Sequence, residues 1–281
     1  MKFSKYHALG NDYIVIKPSD AENGLQEEII RLLCHRNYGV GSDGILFGPS
    51  ESASCDFALR IFNPDGSEAE KSGNGLRIFS RFLWDNGLAT EDPFTLETLG
   101  GTVTCTVAKG GKSVTVQMGK VDFDSSLIPV TGPKREVINE SITVDGKEMK
   151  YCAATVGNPH CVILHDDPVP EIAKHYGPFI ENEQRFPNRT NVQFMKVIDR
   201  GNIRIEIWER GAGYTLASGS SSTASAAVAY KLGLCDPQIK VHMPGGILDI
   251  QFDQDFRATM TGPVTKVCEG LVSPEIFQVQ I

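Results

Sequence analysis

This chain of 281 residues has no CxxC pair, no long apolar run and no excess of basic charge. Its seven cysteines are odd in number and unpatterned, which argues for reduced, mostly buried thiols rather than a disulfide frame or a zinc site. No stretch approaches the roughly 20 apolar residues of a membrane span. Met1-Lys2-Phe3-Ser4 leads into a strand pattern with no signal-peptide core, so a cytoplasmic location is the expectation. Lys and Arg number 27 against 35 Asp and Glu, a net charge of −8, and no Lys/Arg cluster appears. A polyanion needs a basic face, so nucleic acid is not an expected partner.

What is present is one segment that occurs twice. The copies are Asn63-Pro64-Asp65-Gly66-Ser67-Glu68-Ala69-Glu70-Lys71-Ser72-Gly73-Asn74-Gly75 and Glu209-Arg210-Gly211-Ala212-Gly213-Tyr214-Thr215-Leu216-Ala217-Ser218-Gly219-Ser220-Ser221. In each, a strand-like run (58–62; 203–208) ends in a polar residue, nine positions pass, and a Ser-Gly pair opens a helical pattern. A second landmark repeats at nearly the same offset. Gly157-Asn158-Pro159-His160 before the apolar run 161–164 stands 147 positions after Gly10-Asn11-Asp12-Tyr13 before 14–16, while Ser218 stands 146 after Ser72.

The physical reading is a duplicated domain of α+β (α/β) class, each copy a wrapped sheet of short strands with one long helix packed inside. The second such helix, about 222–231, carries no charge over 223–230, as an internal helix requires. The expected halves are 1–120, with 264–281 returning to it, and 121–263; residues 120–135, holding Pro129 and Pro133, mark the crossing. Periodicity adds a helix over 27–34, a helix after Ser72 ending at Asn86-Gly87, strands over 13–16, 45–47, 94–98, 103–107 and 114–117, and last strands over 240–251 and 272–281. The glycines at 39, 41 and 44 fit neither the spacing nor the strand-loop-helix order of a phosphate cradle, so that stretch reads as a tight loop.

A loop entering a helix presents unpaired backbone N–H groups and a positive dipole end, which together bind an anion such as a carboxylate. Gly73-Asn74-Gly75 and Gly219-Ser220-Ser221 are small enough for a ligand to approach the backbone. Ser72 and Ser218 could each be an ordinary N-cap; their duplication favours a site built from two halves. Nearby stand groups suited to a zwitterion: the amides Asn11, Asn63, Asn74, Asn158 and Asn191, the Glu209 carboxylate and the Arg210 guanidinium, whose planar fork suits a second carboxylate.

The segments Leu9-Gly10-Asn11-Asp12-Tyr13, Gly39-Val40-Gly41-Ser42-Asp43-Gly44, Phe62-Asn63-Pro64-Asp65-Gly66-Ser67-Glu68, Ser72-Gly73-Asn74-Gly75-Leu76-Arg77, Gly157-Asn158-Pro159-His160 and Trp208-Glu209-Arg210-Gly211 resemble those of diaminopimelate epimerases, in the same order over nearly the whole chain. The resemblance implies two pseudo-symmetric halves, each a β-barrel-like sheet around a central helix, with an amino-acid substrate held in the cleft between them. It implies epimerisation or racemisation at Cα without pyridoxal phosphate, metal or nucleotide, hence no cofactor and no membrane partner, with a homodimer left open.

In that family a cysteine on each loop moves the proton. Here the matching positions are Ser72 and Ser218. A serine is a far weaker acid than a thiol and acts as a base only if a neighbour takes its proton. The resemblance sets His160 and Glu209 beside the reacting positions, so Ser72 with His160 and Ser218 with Glu209 are the expected relays. Lys71 and Cys161 are weaker candidates, because adjacent residues on a strand point to opposite faces. Gly73, Asn74, Gly219 and Ser220 are expected at the carboxylate, with Asn11, Asn63, Asn158, Asn191 and Arg210 around the rest of the substrate. Ile78 replaces a further cysteine usual in the family, and Gly219-Ser220-Ser221-Ser222 replaces a Gly-Thr-Gly type turn. Coordinated change around both loops reads as a natural divergent branch rather than a laboratory Cys-to-Ser pair. Two other readings share the fold: a thiol-independent isomerase of an unsaturated acid, and a non-catalytic amino-acid-binding homologue.

Overall fold

The computed structural model describes residues 1–21 and 24–278. The chain forms two compact units, Met1–Val116 with Gly262–Ile281, and Gln117–Thr261. Four α-helices occur among the described residues: α1 (Glu27–Cys34), α2 (Gly73–Asp85), α3 (Pro170–Glu181) and α4 (Gly219–Lys231). No helix is long and apolar enough to cross a membrane.

The same pairing sequence is laid down twice. In the first unit Lys2–Ala8 runs antiparallel to Asn11–Ile16, α1 follows, and Asn11–Ile16 pairs in parallel with Ile45–Ser50. Ile45–Ser50 then turns back on Phe57–Phe62, which also pairs with the short Glu68–Ala69 and, after α2, in parallel with Phe94–Thr98. In the second unit Lys147–Thr155 runs antiparallel to Pro159–Leu164, α3 follows, and Pro159–Leu164 pairs in parallel with Asn191–Asp199. Asn191–Asp199 turns back on Asn202–Glu209, which pairs with Gly213–Thr215 and, after α4, in parallel with Gln238–Met243. Each parallel pair spans a helical crossover, the connection such pairs require. The duplication read from the sequence is therefore a duplication of topology.

Each unit buries one helix. In α2 the side chains of Leu76, Ile78, Phe79 and Leu83 are fully enclosed. Burying each large aliphatic or aromatic group contributes about 1.5–3 kcal/mol. In α4 every residue from Ser221 to Ala229 is buried. Its alanines and serines keep the helix thin, and two of its hydroxyls turn back on the preceding turn: Ser222 Oγ donates to the Ser218 carbonyl at 2.7 Å and Thr223 Oγ1 to that of Gly219 at 2.8 Å.

Three segments differ from the sequence reading. The last strand is Thr265–Leu271, antiparallel to Lys2–Ala8, not 272–281. Pro274 cannot donate to a ladder and opens the 3-10 turn Pro274–Gln278 instead; residues 279–281 lie outside the described residues. Residues 240–251 form a hairpin, Gln238–Met243 and Gly246–Phe252, rather than a continuous run. Helix α3 had no readable signature, since Pro178 lies inside it and punctuates the pattern.

Candidate active site

Both serines are N-caps. Ser72, extended at φ −138°, accepts from the Gly75 N–H at 3.0 Å, and Ser218, at φ −145°, from the Ser221 N–H at 3.3 Å. In each case the partner is the third residue of the helix, so the hydroxyl oxygen sits where the helix dipole and an amide both favour negative charge. Ser218 is 4 % exposed and Ser72 half-buried. Capping uses a lone pair of each oxygen and leaves the hydroxyl proton to move.

Around α2, four polar groups form a directed chain. Arg77 donates to Asn74 Oδ1 (2.8 Å), Asn74 Nδ2 to Asn11 Oδ1 (2.9 Å), and Asn11 Nδ2 to Asp43 Oδ2 (2.9 Å). Arg36 bonds Asp12 and Asp43, and Lys5 bonds Asp12; these cations hold the Asp12 carboxyl below its usual range against the burial that raises it. The glycine-rich loop at 39–44 therefore delivers Asp43 to Asn11. Asn63 Nδ2 donates to Ser67 Oγ at 2.9 Å across the turn closed by Gly66 N to Asn63 O. One further contact had no sequence signal: the Tyr13 phenol oxygen lies 3.2 Å from Ser72 Oγ.

The second unit repeats the Asn contact. Asn158 Nδ2 donates to Ser220 Oγ at 3.3 Å, as Asn74 and Asn11 meet in the first. His160 Nε2 lies 2.9 Å from Asn158 Oδ1; with the amide nitrogen committed to Ser220, the ring nitrogen is the donor. The ring is fully buried, which pushes its pKa down to about 3, and the Arg210 charge acts in the same direction. Cys161, equally buried, has its thiol pushed well up, so a thiolate there is disfavoured. Lys71, in the first unit, has its ammonium lowered by burial.

Asn191 and Arg210 are brought together by the backbone. Asn191 Nδ2 donates to the Pro159 carbonyl (2.9 Å) and its Oδ1 accepts the Arg210 N–H (3.0 Å), stitching two strand ends. The Arg210 guanidinium donates to the Asn188 carbonyl at 2.9 Å. Glu209 ends its strand half-buried.

The residue that sequence reasoning missed here is Glu181, at the end of α3 and 5 % exposed. Its carboxylate accepts from Trp208 Nε1 (2.7 Å), the Gly211 N–H (2.9 Å) and Arg189 (3.0 Å), pinning the loop on both sides of Glu209-Arg210. Gly177 makes this approach possible, since a Cβ there would lie 2.4 Å from Trp208 Cγ. Glu181→Ala leaves the half-buried Trp208 indole N–H and the Gly211 N–H without their acceptor; unfolding in denaturant should show a loss of about 1–2 kcal/mol, and an unchanged midpoint would refute the pinning.

A family model described as Diaminopimelate epimerase matches residues 3–123 and 152–267. The chain is 62 % identical over 280 residues to Diaminopimelate epimerase 2 of Nostoc sp., covering 100 % of this chain and 98 % of that one. It is 41 % identical over 279 residues to the diaminopimelate epimerase of Methanothermobacter thermautotrophicus, covering 96 % and 98 %. Among solved structures, its fold matches a hydroxyproline epimerase from Agrobacterium vitis (TM-score 0.72, 16 % identity, 97 % and 90 % covered) and a probable proline racemase from Agrobacterium radiobacter K84 (TM-score 0.71, 17 % identity, 97 % and 93 % covered). With a doubled topology, a hydroxyl cap on each buried helix and relatives matched from end to end, the chain belongs to the diaminopimelate epimerase family.

Proposed function

We propose that this protein is a cofactor-independent epimerase that inverts the α-carbon of diaminopimelate, or of an amino acid with a similar polar distal end. The observation that carries the reading is the pair of capped serines, one at the start of each buried helix. Inversion needs one proton to leave a carbon from one face and another to arrive from the opposite face, hence two acid–base groups. Ser72 and Ser218 supply one each. In each unit the first-turn amides after the serine, those of Gly73 and Asn74 and those of Gly219 and Ser220, suit the α-carboxylate, because the helix dipole there favours an anion.

Arg210 meets the distal carboxylate, and Glu209 takes the proton of Ser218. Asn11, Asn63, Asn158 and Asn191 hold the loops that carry these groups. A pKa near 3 makes His160 too weak a base to serve Ser72, so its part is to orient Asn158. The reading also places the protein in the cytoplasm, as a lysine-biosynthesis enzyme, with a reducing compartment supported by its seven free cysteines.

The test is incubation of a single stereoisomer of diaminopimelate with the protein in heavy water. The expected result is formation of the epimer with one deuterium at the inverted carbon. Neither inversion nor α-deuterium in diaminopimelate or related amino acids would reject the reading.

A further inference from the structure

The two half-sites match position by position, yet one pair of equivalent residues behaves differently. Tyr13 follows Asn11 by two residues, as His160 follows Asn158. His160 turns its Nε2 to Asn158, whereas the Tyr13 hydroxyl sits 3.2 Å from Ser72 Oγ. The phenol is held in place. Tyr13 is 8 % exposed, and its ring edge lies over Gly44, where an added Cβ would come within 2.7 Å of Tyr13 Cε1.

Resting on the epimerase reading, we infer that Tyr13 is the group through which Ser72 exchanges its proton. A phenol ionises near 10 in its ordinary state, well below an aliphatic alcohol, and its anion spreads charge into the ring. In the donating direction the Ser72 O–H bond breaks as its proton forms the new Cα–H bond. Ser72 Oγ then receives the Tyr13 hydroxyl proton, and the negative charge that began on the carbanion ends on the phenolate. In the reverse direction the phenolate takes the Ser72 proton as Ser72 takes the α-proton. No further reactant is consumed. Tyr13 acts through Ser72 and is a positioning residue, one that gives the first half of the site a hydroxyl–phenol pair in place of a thiol.

The double-mutant cycle of Tyr13→Phe with Ser72→Cys tests this, read as α-deuterium wash-in and kcat/KM for diaminopimelate. A thiol ionises near 8.5 without help, so it does not need the phenol. Tyr13→Phe should cost about tenfold to a hundredfold in the parent chain and less than about threefold in the Ser72→Cys background. An equal loss in both backgrounds would mark Tyr13 as a packing residue, and no loss in the parent would remove it from the proton path. A parent chain that exchanges no deuterium overturns the epimerase reading and this inference with it; exchange in the parent with an unresponsive Tyr13 overturns only the inference.

Discussion

Ser72→Gly and Ser218→Gly should each lower epimerisation of diaminopimelate by about 10²-fold to 10⁴-fold, the range general acid–base groups contribute. Glycine is the informative replacement because both hydroxyls also cap helices. Alanine at an N-cap costs roughly 1 kcal/mol of stability, glycine only a few tenths, so the glycine variants separate proton transfer from capping. Their melting temperatures should stay close to the parent's while the rate collapses. The double variant Ser72→Cys/Ser218→Cys should move the other way, raising kcat, because a thiol under the same dipole ionises near neutrality. A parent-like rate in either glycine variant would show that the hydroxyls do no chemistry.

The second large effect is an acid sensitivity housed in the second unit. His160 is neutral in the fold, with its pKa pushed down to about 3 by burial, whereas an exposed histidine titrates near 6.5. Between those values the unfolded chain binds the proton and the folded chain does not. The stability contributed by the buried neutral ring is therefore complete above about pH 6.5 and is lost as the pH falls toward 3. At about 1.4 kcal/mol per pH unit, denaturation at pH 4.5 rather than pH 7 should reveal a loss of about 3 kcal/mol from this group alone. His160→Gln should flatten that slope by about the same amount; equal slopes in the two proteins would mean the ring is solvated.

The two serine loops were legible because capping and helix initiation are local: a Ser-Gly pair followed by small residues says where a helix begins in any context. The charge-free stretch in α4 likewise marks a buried helix from sequence alone. Side-chain commitments were not legible. Asn63 and Asn191 look like ligand groups in sequence; what the sequence did not show is that Asn63 also donates to Ser67 within its turn and that Asn191 joins two strand ends. Glu181 carries no motif at all, and its importance comes from Trp208 and Gly211, about 30 positions away along the chain, reaching it together.

The sequence alone determined that the domain is doubled, that each copy starts its buried helix at a serine, and that both family cysteines are absent, since repeats, caps and residue identities are properties of order along a chain. Only the tertiary structure decided which neighbour each hydroxyl meets and which imidazole is sealed from water. Those depend on strands distant in sequence closing over one helix, and burial and hydrogen-bond partnership, the two things that set proton affinity, arise only once they do.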